Sequence, residues 1–125
     1  MVNTLIAGRP VDVNALELQH LPVPASQIVD GAPTTGVHGL GRFSGLGLGV
    51  WEMSVGGMHD VEADEVFLVT AGRATVTIHA EVTGAACTRG AVELGPGSVM
   101  LLSAGMCTTW TVHEPLRKLY LAPRL

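Results

Sequence analysis

Alternation of apolar and polar residues marks a series of short segments in the chain. They are residues 50–55, 65–70, 74–80, 91–94, 98–103, 106–112 and 117–121. Successive side chains of a β-strand point to opposite faces, so this period of two predicts strands. Glycine and proline between the segments predict turns, including a hairpin turn at residues 71–73 and a turn out of the sheet at Glu114 and Pro115. The pattern indicates about eight short strands and almost no helix.

The N-terminal part of the chain has a different pattern. The apolar residues of 11–21 keep no sustained helical spacing, and Pro22 and Pro24 would end a helix directly afterwards. We therefore expect an arm or at most a short strand there. Glycines then alternate with larger residues over 39–49. Such glycines keep one strand face bare, so that another backbone or a large side chain can lie against it.

The composition supports a single folded domain. The chain has 125 residues and a mass of 13.0 kDa, with 47% hydrophobic and 14% charged residues. This length suits one domain, and the hydrophobic fraction is sufficient for a core. Sixteen glycines and seven prolines favour turns over long helices. We expect an all-β domain over residues 1–125, with an arm and the first strands in 1–48 and the core strands in 49–121.

Charge and cysteine content exclude several classes of partner. The net charge of −4 and a pI near 5.6 argue against binding to a nucleic-acid backbone. No apolar run reaches the ~18 residues of a membrane span, and the start of the chain lacks a signal-peptide layout, so we expect a cytoplasmic protein without membrane contact. Cys87 and Cys107 form no Cys-x-x-Cys pair and are predicted to be reduced thiols.

Glu65 is the first candidate functional residue. It begins an apolar strand, and the period of two places it on one face with Phe67 and Val69. A carboxylate that faces a core needs a partner. Glu65 is therefore either a metal ligand or general acid–base, or a structural carboxylate paired with a cation. Lys118, which shares a strand face with Tyr120, is the preferred partner.

Among the remaining candidates, Trp110 and His59 each allow two interpretations. Thr108 and Trp110 share one strand face. Trp110 either packs in the core or forms a wall against which a small ligand stacks. His59 is either an exposed loop imidazole or a ligand, and the acidic run over residues 60–64 is predicted to be a solvated loop. His20 and His38 lie in the N-terminal region, and the sequence does not place them relative to the other candidates.

Two segments resemble the paired motifs of a known superfamily. Glu65 is followed after six residues by Gly72, and Gly97-Ser-Val-Met-Leu-Leu-Ser-Ala-Gly105 leads into Met-Cys-Thr-Thr-Trp110. They resemble the cupin superfamily, and the chain looks most like the small cupins grouped with ureidoglycine aminohydrolase and the ethanolamine-utilisation cupins. The resemblance implies a double-stranded β-helix, a jelly-roll-like barrel, in which residues 49–121 carry the core motifs.

The resemblance also implies a metal site, from which this chain departs. The superfamily uses a His-x-His pair, a Glu and a third His to hold a divalent transition metal such as Mn, Fe, Ni or Zn. Glu65 matches the Glu, but the pair falls on His59 and Val61 or on Met58 and Asp60, and the third position holds Thr108. Glu65 and His59 are two ligands, and metal sites need three or more. We therefore expect no cofactor.

Three functional hypotheses follow. The first is a metal-poor cupin that binds a small polar metabolite among the candidate residues Glu65, Phe67, Thr108, Trp110, Lys118 and Tyr120. The second is a metal-dependent enzyme similar to an aminohydrolase, acting on a small ureido or amine compound. The third is a structural or dimerisation module. Both faces of residues 65–70 and 99–102 are apolar, which predicts a homodimer.

Overall fold

The computed structural model describes residues 3–80 and 90–123, and over these residues the chain forms nine strands in one curled sheet. A turn of 3-10 helix at Ala25–Gln27 is the helical element there. The predicted all-β fold is confirmed, and none of the described residues belongs to a helix that could span a bilayer. The strands are β1 His20–Pro22, β2 Ile28–Asp30, β3 Thr34–Phe43, β4 Leu46–Met53, β5 Gly56–Val61, β6 Glu65–Ala80, β7 Gly90–Leu94, β8 Val99–Leu102 and β9 Cys107–Ala122.

The two longest strands, β6 and β9, form the centre of the sheet. They pair antiparallel from Val66 opposite Leu121 to Ala80 opposite Cys107. The second edge of β6 pairs first with β8 and then with β7. The second edge of β9 pairs first with β5 and then with β4, while β3, β1 and β2 extend the sheet outward. The sheet curls around the two long strands and encloses one face, which we call the barrel interior.

Alternation along the strands fills the barrel interior with one set of side chains. The largest fully buried ones are Trp110, Phe67, Met53, Leu102 and Leu116. Together with smaller residues of β6 and β9 they form the main hydrophobic core. Burying each large apolar side chain stabilises the fold by roughly 1.5–3 kcal/mol.

The predicted hairpin at residues 71–73 and the predicted turn at Glu114 and Pro115 are both wrong. Strand β6 continues through the first and β9 through the second. The two sites face each other: Gly72 has a positive φ of 88°, and a Cβ there would collide with the carbonyl of Pro115. The pairing register shifts at this point. Gly72 and Pro115 therefore mark a bulge where two long strands bend together.

The glycine-rich run folds as a hairpin between β3 and β4. Its two turn residues, Ser44 and Gly45, have positive φ values of 50° and 79°, as a tight two-residue hairpin requires. On β4, a Cβ at Gly49 would overlap the ring of Tyr120, its cross-strand partner. The prediction that a bare glycine face admits a large side chain is confirmed at Gly49.

The predicted N-terminal arm is also confirmed. Residues 11–18 contain no strand and lie on the outer face of the sheet. Leu16 is buried there against Leu40 and Val50 in a second, smaller hydrophobic cluster. This burial leaves part of the outer face covered by the chain itself.

Arg117 fastens this arm to the sheet. Its Nη1 donates hydrogen bonds of 2.7 Å to the carbonyls of Val13 and Leu16, and its Nε and Nη2 donate to Oε1 of Glu52 at 2.9 and 2.7 Å. His20 Nε2 contacts the other carboxylate oxygen of Glu52 at 2.5 Å. Burial acts to raise the pKa of Glu52, but the hydrogen bonds of His20 and Arg117 outweigh it and lower that pKa.

One predicted feature falls largely outside the description. The loop expected at residues 83–90, with Cys87, lies outside the described residues except for Gly90, which begins β7. Cys107 is a free, half-buried thiol whose Sγ lies 3.8 Å from the carbonyl oxygen of Gly105.

Candidate ligand-binding site

Lys118 occupies the middle of the barrel interior. Its cross-strand partners are Trp51 on β4 and Val69 on β6. The ammonium Nζ lies 4.4 Å from the ring centroid of Phe67, 4.7 Å from that of Trp51 and 4.8 Å from that of Trp110. Aromatic faces attract cations at these distances. We call Trp51, Phe67 and Trp110 the aromatic cage.

Glu65 carries the charge that balances Lys118. The Lys118 Nζ lies 2.7 Å from Oε2 of Glu65, so the ion pair expected from the sequence is confirmed. Oε2 is fully buried, and the ammonium at 2.7 Å is its partner. The Lys118 side chain is 6% exposed and that of Glu65 20%. The carboxylate therefore marks the boundary between the buried cation and the outside.

A second carboxylate, Glu62, is bound at the other side of Trp110. Its Oε2 accepts hydrogen bonds from the Trp110 indole nitrogen at 2.9 Å and from the Thr108 hydroxyl at 2.7 Å. Thr108 and Trp110 are each about 1% exposed. These two bonds satisfy the polar atoms of buried side chains and hold the Trp110 ring in its orientation.

Asp60 adds a third carboxyl group near the interior. The prediction of a solvated loop over residues 60–64 is wrong for Asp60 and Glu62. Asp60 lies in β5, which extends to Val61, and Glu62 directly follows that strand with its carboxylate bound by Thr108 and Trp110. Burial, followed by the charge of Glu62, raises the pKa of Asp60 to about 6. The spacing of Met58, Asp60 and Glu62 was the available signal, since His59 and Val61 alternate to the outside.

A cavity of about 690 Å³ opens beside Glu65 and Tyr120. The glycines of the β3–β4 hairpin form one wall, including Gly39 and Gly47, and Asp64 lies on the rim. Tyr120 can lie against this wall because Gly49 has no side chain. The volume falls within the range of small-molecule sites, roughly 300–1,000 Å³.

The structure divides the predicted site residues into two groups. Glu65 and Tyr120 line the cavity. The other four lie behind them in the barrel interior: Phe67 and Trp110 face the ammonium of Lys118, and Thr108 is bound to Glu62. Trp51 and Glu62 were not among the predicted site residues.

The five histidines lie outside the barrel interior. His59 was the weak candidate for a metal ligand, and its Nδ1 contacts the Thr109 hydroxyl at 2.9 Å on the outer face. The other contacts are His79 with Thr109, His113 with Thr75, His20 with Glu52 and Thr34, and His38 with the carbonyl of Asn3.

The residues present do not fit the metal that the cupin resemblance implies. Glu65 contacts Lys118, Thr108 donates to Glu62, and His59 faces outward. Within residues 3–80 and 90–123, no three or more His, Cys, Asp or Glu side chains are placed to hold a metal ion. A catalytic metal needs at least three protein ligands in most sites. That the protein carries no stoichiometric metal stays a prediction.

The curled sheet around two long strands is the double-stranded β-helix of cupins. The family model of the EutQ-like cupin domain matches residues 41–120, more than half of the chain. The chain therefore belongs to the family of EutQ-like cupin domains. No curated protein matches it significantly in sequence.

Solved structures agree on the fold. A protein of unknown function from Pseudomonas syringae has a TM-score of 0.68 at 20% identity. The match covers 89% of this chain but only 46% of that protein. The EutQ protein of Clostridium difficile has a TM-score of 0.63 at 18% identity over 96% of this chain and 90% of its own. A putative ethanolamine utilization protein Q from Salmonella typhimurium has a TM-score of 0.57 at 15% identity over 85% of this chain and 96% of its own. At these identities the likeness establishes the fold alone.

Proposed function

We propose that this cupin domain binds a small polar molecule in the cavity beside Glu65 and Tyr120, and that the molecule donates hydrogen bonds to Glu65. The observation that carries the proposal is the position of Glu65, which lines the cavity with a side chain that is 20% exposed, while its other side holds the buried Lys118 ammonium through Oε2. An ionised carboxylate only accepts hydrogen bonds and offers about four lone-pair sites. A donor group on a ligand in the cavity would bind the exposed side of this carboxylate.

The charges around the cavity support a ligand with amine or hydroxyl groups near Glu65. Asp64 and Glu65 contribute two carboxylates to the lining, and Arg42 contributes one guanidinium. Because a carboxylate only accepts hydrogen bonds, an ammonium or hydroxyl group of a ligand can donate to Glu65, whereas a ligand carboxylate cannot. The similar protein from Salmonella is named a putative ethanolamine utilization protein. An amino alcohol carries both kinds of donor and is a suitable first probe.

Thermal unfolding with a ligand panel tests the proposal. The panel contains ethanolamine, small diamines, polyols and, as the opposite charge class, small carboxylates. A ligand present at about 100 times its Kd adds about 2.7 kcal/mol to the free energy of unfolding. We expect an amine or polyol to raise the melting temperature of the wild type, and Glu65→Gln and Tyr120→Phe to reduce this rise.

His113→Ala is the matched control, since His113 lies on the outer face. It should keep the full ligand-induced rise. A panel in which only carboxylates raise the melting temperature, or in which Glu65→Gln responds like the wild type, would contradict the proposal. A panel without any response would favour a structural module.

A further inference from the structure

We propose that the aromatic cage and Glu65 form an ammonium-binding site, which the protein fills with its own Lys118. The site's ligand class is therefore a primary alkylammonium ion, and not a divalent metal. This inference is independent of the proposed function, because it concerns the buried side of Glu65 and not the cavity.

The first support is the convergence of three rings on one nitrogen. The Lys118 Nζ lies within 4.8 Å of all three ring centroids of the cage, where one ring within about 6 Å is enough for a measurable attraction. Trp110 lies 5.7 Å from Trp51 and 5.8 Å from Phe67, so the rings also support each other. Phe67 and Trp110 are almost fully buried, which strengthens the attraction by removing water.

The second support is the chemistry of the groups around the nitrogen. One carboxylate, Glu65, contacts Nζ at 2.7 Å, and three ring faces surround it. Ring faces and one carboxylate are what proteins use to recognise ammonium groups. A transition metal needs several nitrogen, oxygen or sulfur ligands, and ring faces are not such ligands.

The third support is that the buried cation is a lysine. Lys118 is the only lysine in the 125 residues, whereas the chain has six arginines. Lysine is usually a surface residue and is almost never buried without a partner. Here the single lysine is 5% exposed and is held at the centre of the barrel interior.

The geometry specifies the ligand that should replace this side chain. Truncation in Lys118→Ala removes three carbons and the ammonium, which together equal n-propylammonium. Glu65 separates the vacated space from the cavity. We expect n-propylammonium to raise the melting temperature of Lys118→Ala in a saturable manner and by clearly more than it raises that of the wild type, in which Lys118 fills the site. Propan-1-ol, which has the same size without the charge, should need a concentration about tenfold higher or more for the same rise.

Two further measurements distinguish the ammonium site from a metal site and from an apolar void. Zn²⁺ or Mn²⁺ should not stabilise Lys118→Ala, and untagged wild-type protein should contain far less than one equivalent of transition metal per chain. Stabilisation by either metal, or near-stoichiometric metal in the wild type, would overturn the proposal. Equal rescue by propan-1-ol would also overturn it, because the site would then be only an apolar void.

A measurement on the wild type covers the case in which Lys118→Ala fails to fold. Because Lys118 is the only lysine, protein labelled with ¹⁵N,¹³C-lysine has a single side-chain signal in NMR. Ring currents of the aromatic cage should move the protons next to Nζ upfield of their positions in free lysine. Signals at the free-lysine positions would refute the proposed site.

Discussion

Arg117 and Lys118 are consecutive residues of β9, and strand alternation sends their side chains to opposite faces of the sheet. On the outer face, Arg117 is bound by Glu52 and by two carbonyls of the N-terminal arm. On the inner face, Lys118 is held by Glu65 and the aromatic cage. Both cations are buried, but only the inner one lies next to a carboxylate that borders a cavity.

The difference concerns how completely each network is satisfied. The guanidinium of Arg117 donates four hydrogen bonds to three fixed acceptors, which leaves little capacity for a ligand. In the inner network Glu65 binds Lys118 through its buried Oε2, and the remainder of its side chain, which is 20% exposed, borders the cavity. Saturated polar networks rigidify a structure, whereas an incomplete one is a place where a partner can bind. The outer pair thus fastens the arm, and the inner pair is the candidate site.

The largest effect is expected for Arg117→Met. The substitution leaves Glu52 without its main partner and removes the donor for the carbonyls of Val13 and Leu16. Breaking such a buried network costs about 3–5 kcal/mol of unfolding free energy. Because the pKa of Glu52 is lowered from 4.5, this contribution is present above pH 4.5 and is lost as the pH falls below it. Denaturant unfolding at pH 7 measures the loss of unfolding free energy, and the same experiment at pH 3.5 shows whether that loss becomes smaller.

Arg73→Met is the matched control. Arg73 makes the same kind of contact with Glu114, at 2.9 Å, but both side chains are more than half exposed. Exposed pairs contribute about 0–1 kcal/mol. If Arg117→Met costs no more than Arg73→Met, Arg117 does not fasten the arm.

A smaller loss is expected for Lys118→Met, about 2–3 kcal/mol. The thioether packs well among aromatic rings, and Glu65 is close enough to the cavity to regain water. Glu65→Gln should cost less again, since the amide oxygen still faces the ammonium. Denaturant unfolding in the same buffer gives the three values. If Lys118→Met lost more unfolding free energy than Arg117→Met, the comparison of the two faces would be reversed.

Local patterns were sufficient for the inner pair. A period of two placed Glu65 inside and identified Lys118 as its partner, because both facts depend only on alternation and charge. The continuity of the long strands could not be predicted in this way. Gly72 and Pro115 are turn formers in isolation, and they form a bulge only because two strands bend together at that point.

The acidic residues at the end of β5 and directly after it were missed for a similar reason. Asp60 and Glu62 lie in a run of carboxylates that is typical of a solvated loop. What turns them inward is their environment on β9, where Glu62 binds Thr108 and Trp110, 46 and 48 residues away along the chain. Opposite charge identified the Glu65–Lys118 pair, but no such signal links a glutamate with a threonine and a tryptophan in the sequence.

Asp60→Asn tests the electrostatics of the inner face. The pKa of Asp60 is raised from 3.8 to about 6, so the folded state binds its proton more tightly than the unfolded state. Stability should therefore fall as the pH rises from 3.8 through 6 and stay lower above it. Asp60→Asn removes this loss and should stabilise the protein by about 1–2 kcal/mol at pH 8, since a half-buried carboxyl retains some water.

The same substitution should have little effect below pH 3.8, where Asp60 is mostly protonated in both states. Unfolding curves at pH 3.5 and pH 8 provide the comparison. Glu17→Gln, at an exposed position of the arm, should change little at either pH. Destabilisation by Asp60→Asn at pH 8 would mean that the charged carboxylate is needed beside Lys118.

The outer face beyond the arm carries the last prediction. Val66 lies opposite Leu101, and Leu68 lies opposite Val99, in two apolar rows across β6 and β8. Val66 is 39% exposed, Val99 68% and Leu101 66%. Apolar sheet surface of this kind is commonly covered by another protein surface. The homodimer expected from the sequence stays a prediction, with these rows as its contact.

Leu101→Glu should dissociate such a dimer while changing the unfolding free energy of one chain by less than about 0.5 kcal/mol, because the position is at the surface. Light scattering coupled to gel filtration at micromolar concentration should give about twice 13.0 kDa for the wild type and 13.0 kDa for Leu101→Glu. Val29→Glu, on β2 at an end of the sheet away from β8, should remain dimeric. A wild-type monomer would show that the outer face needs no partner, and would leave the arm fastened by Arg117 as its only cover among the described residues.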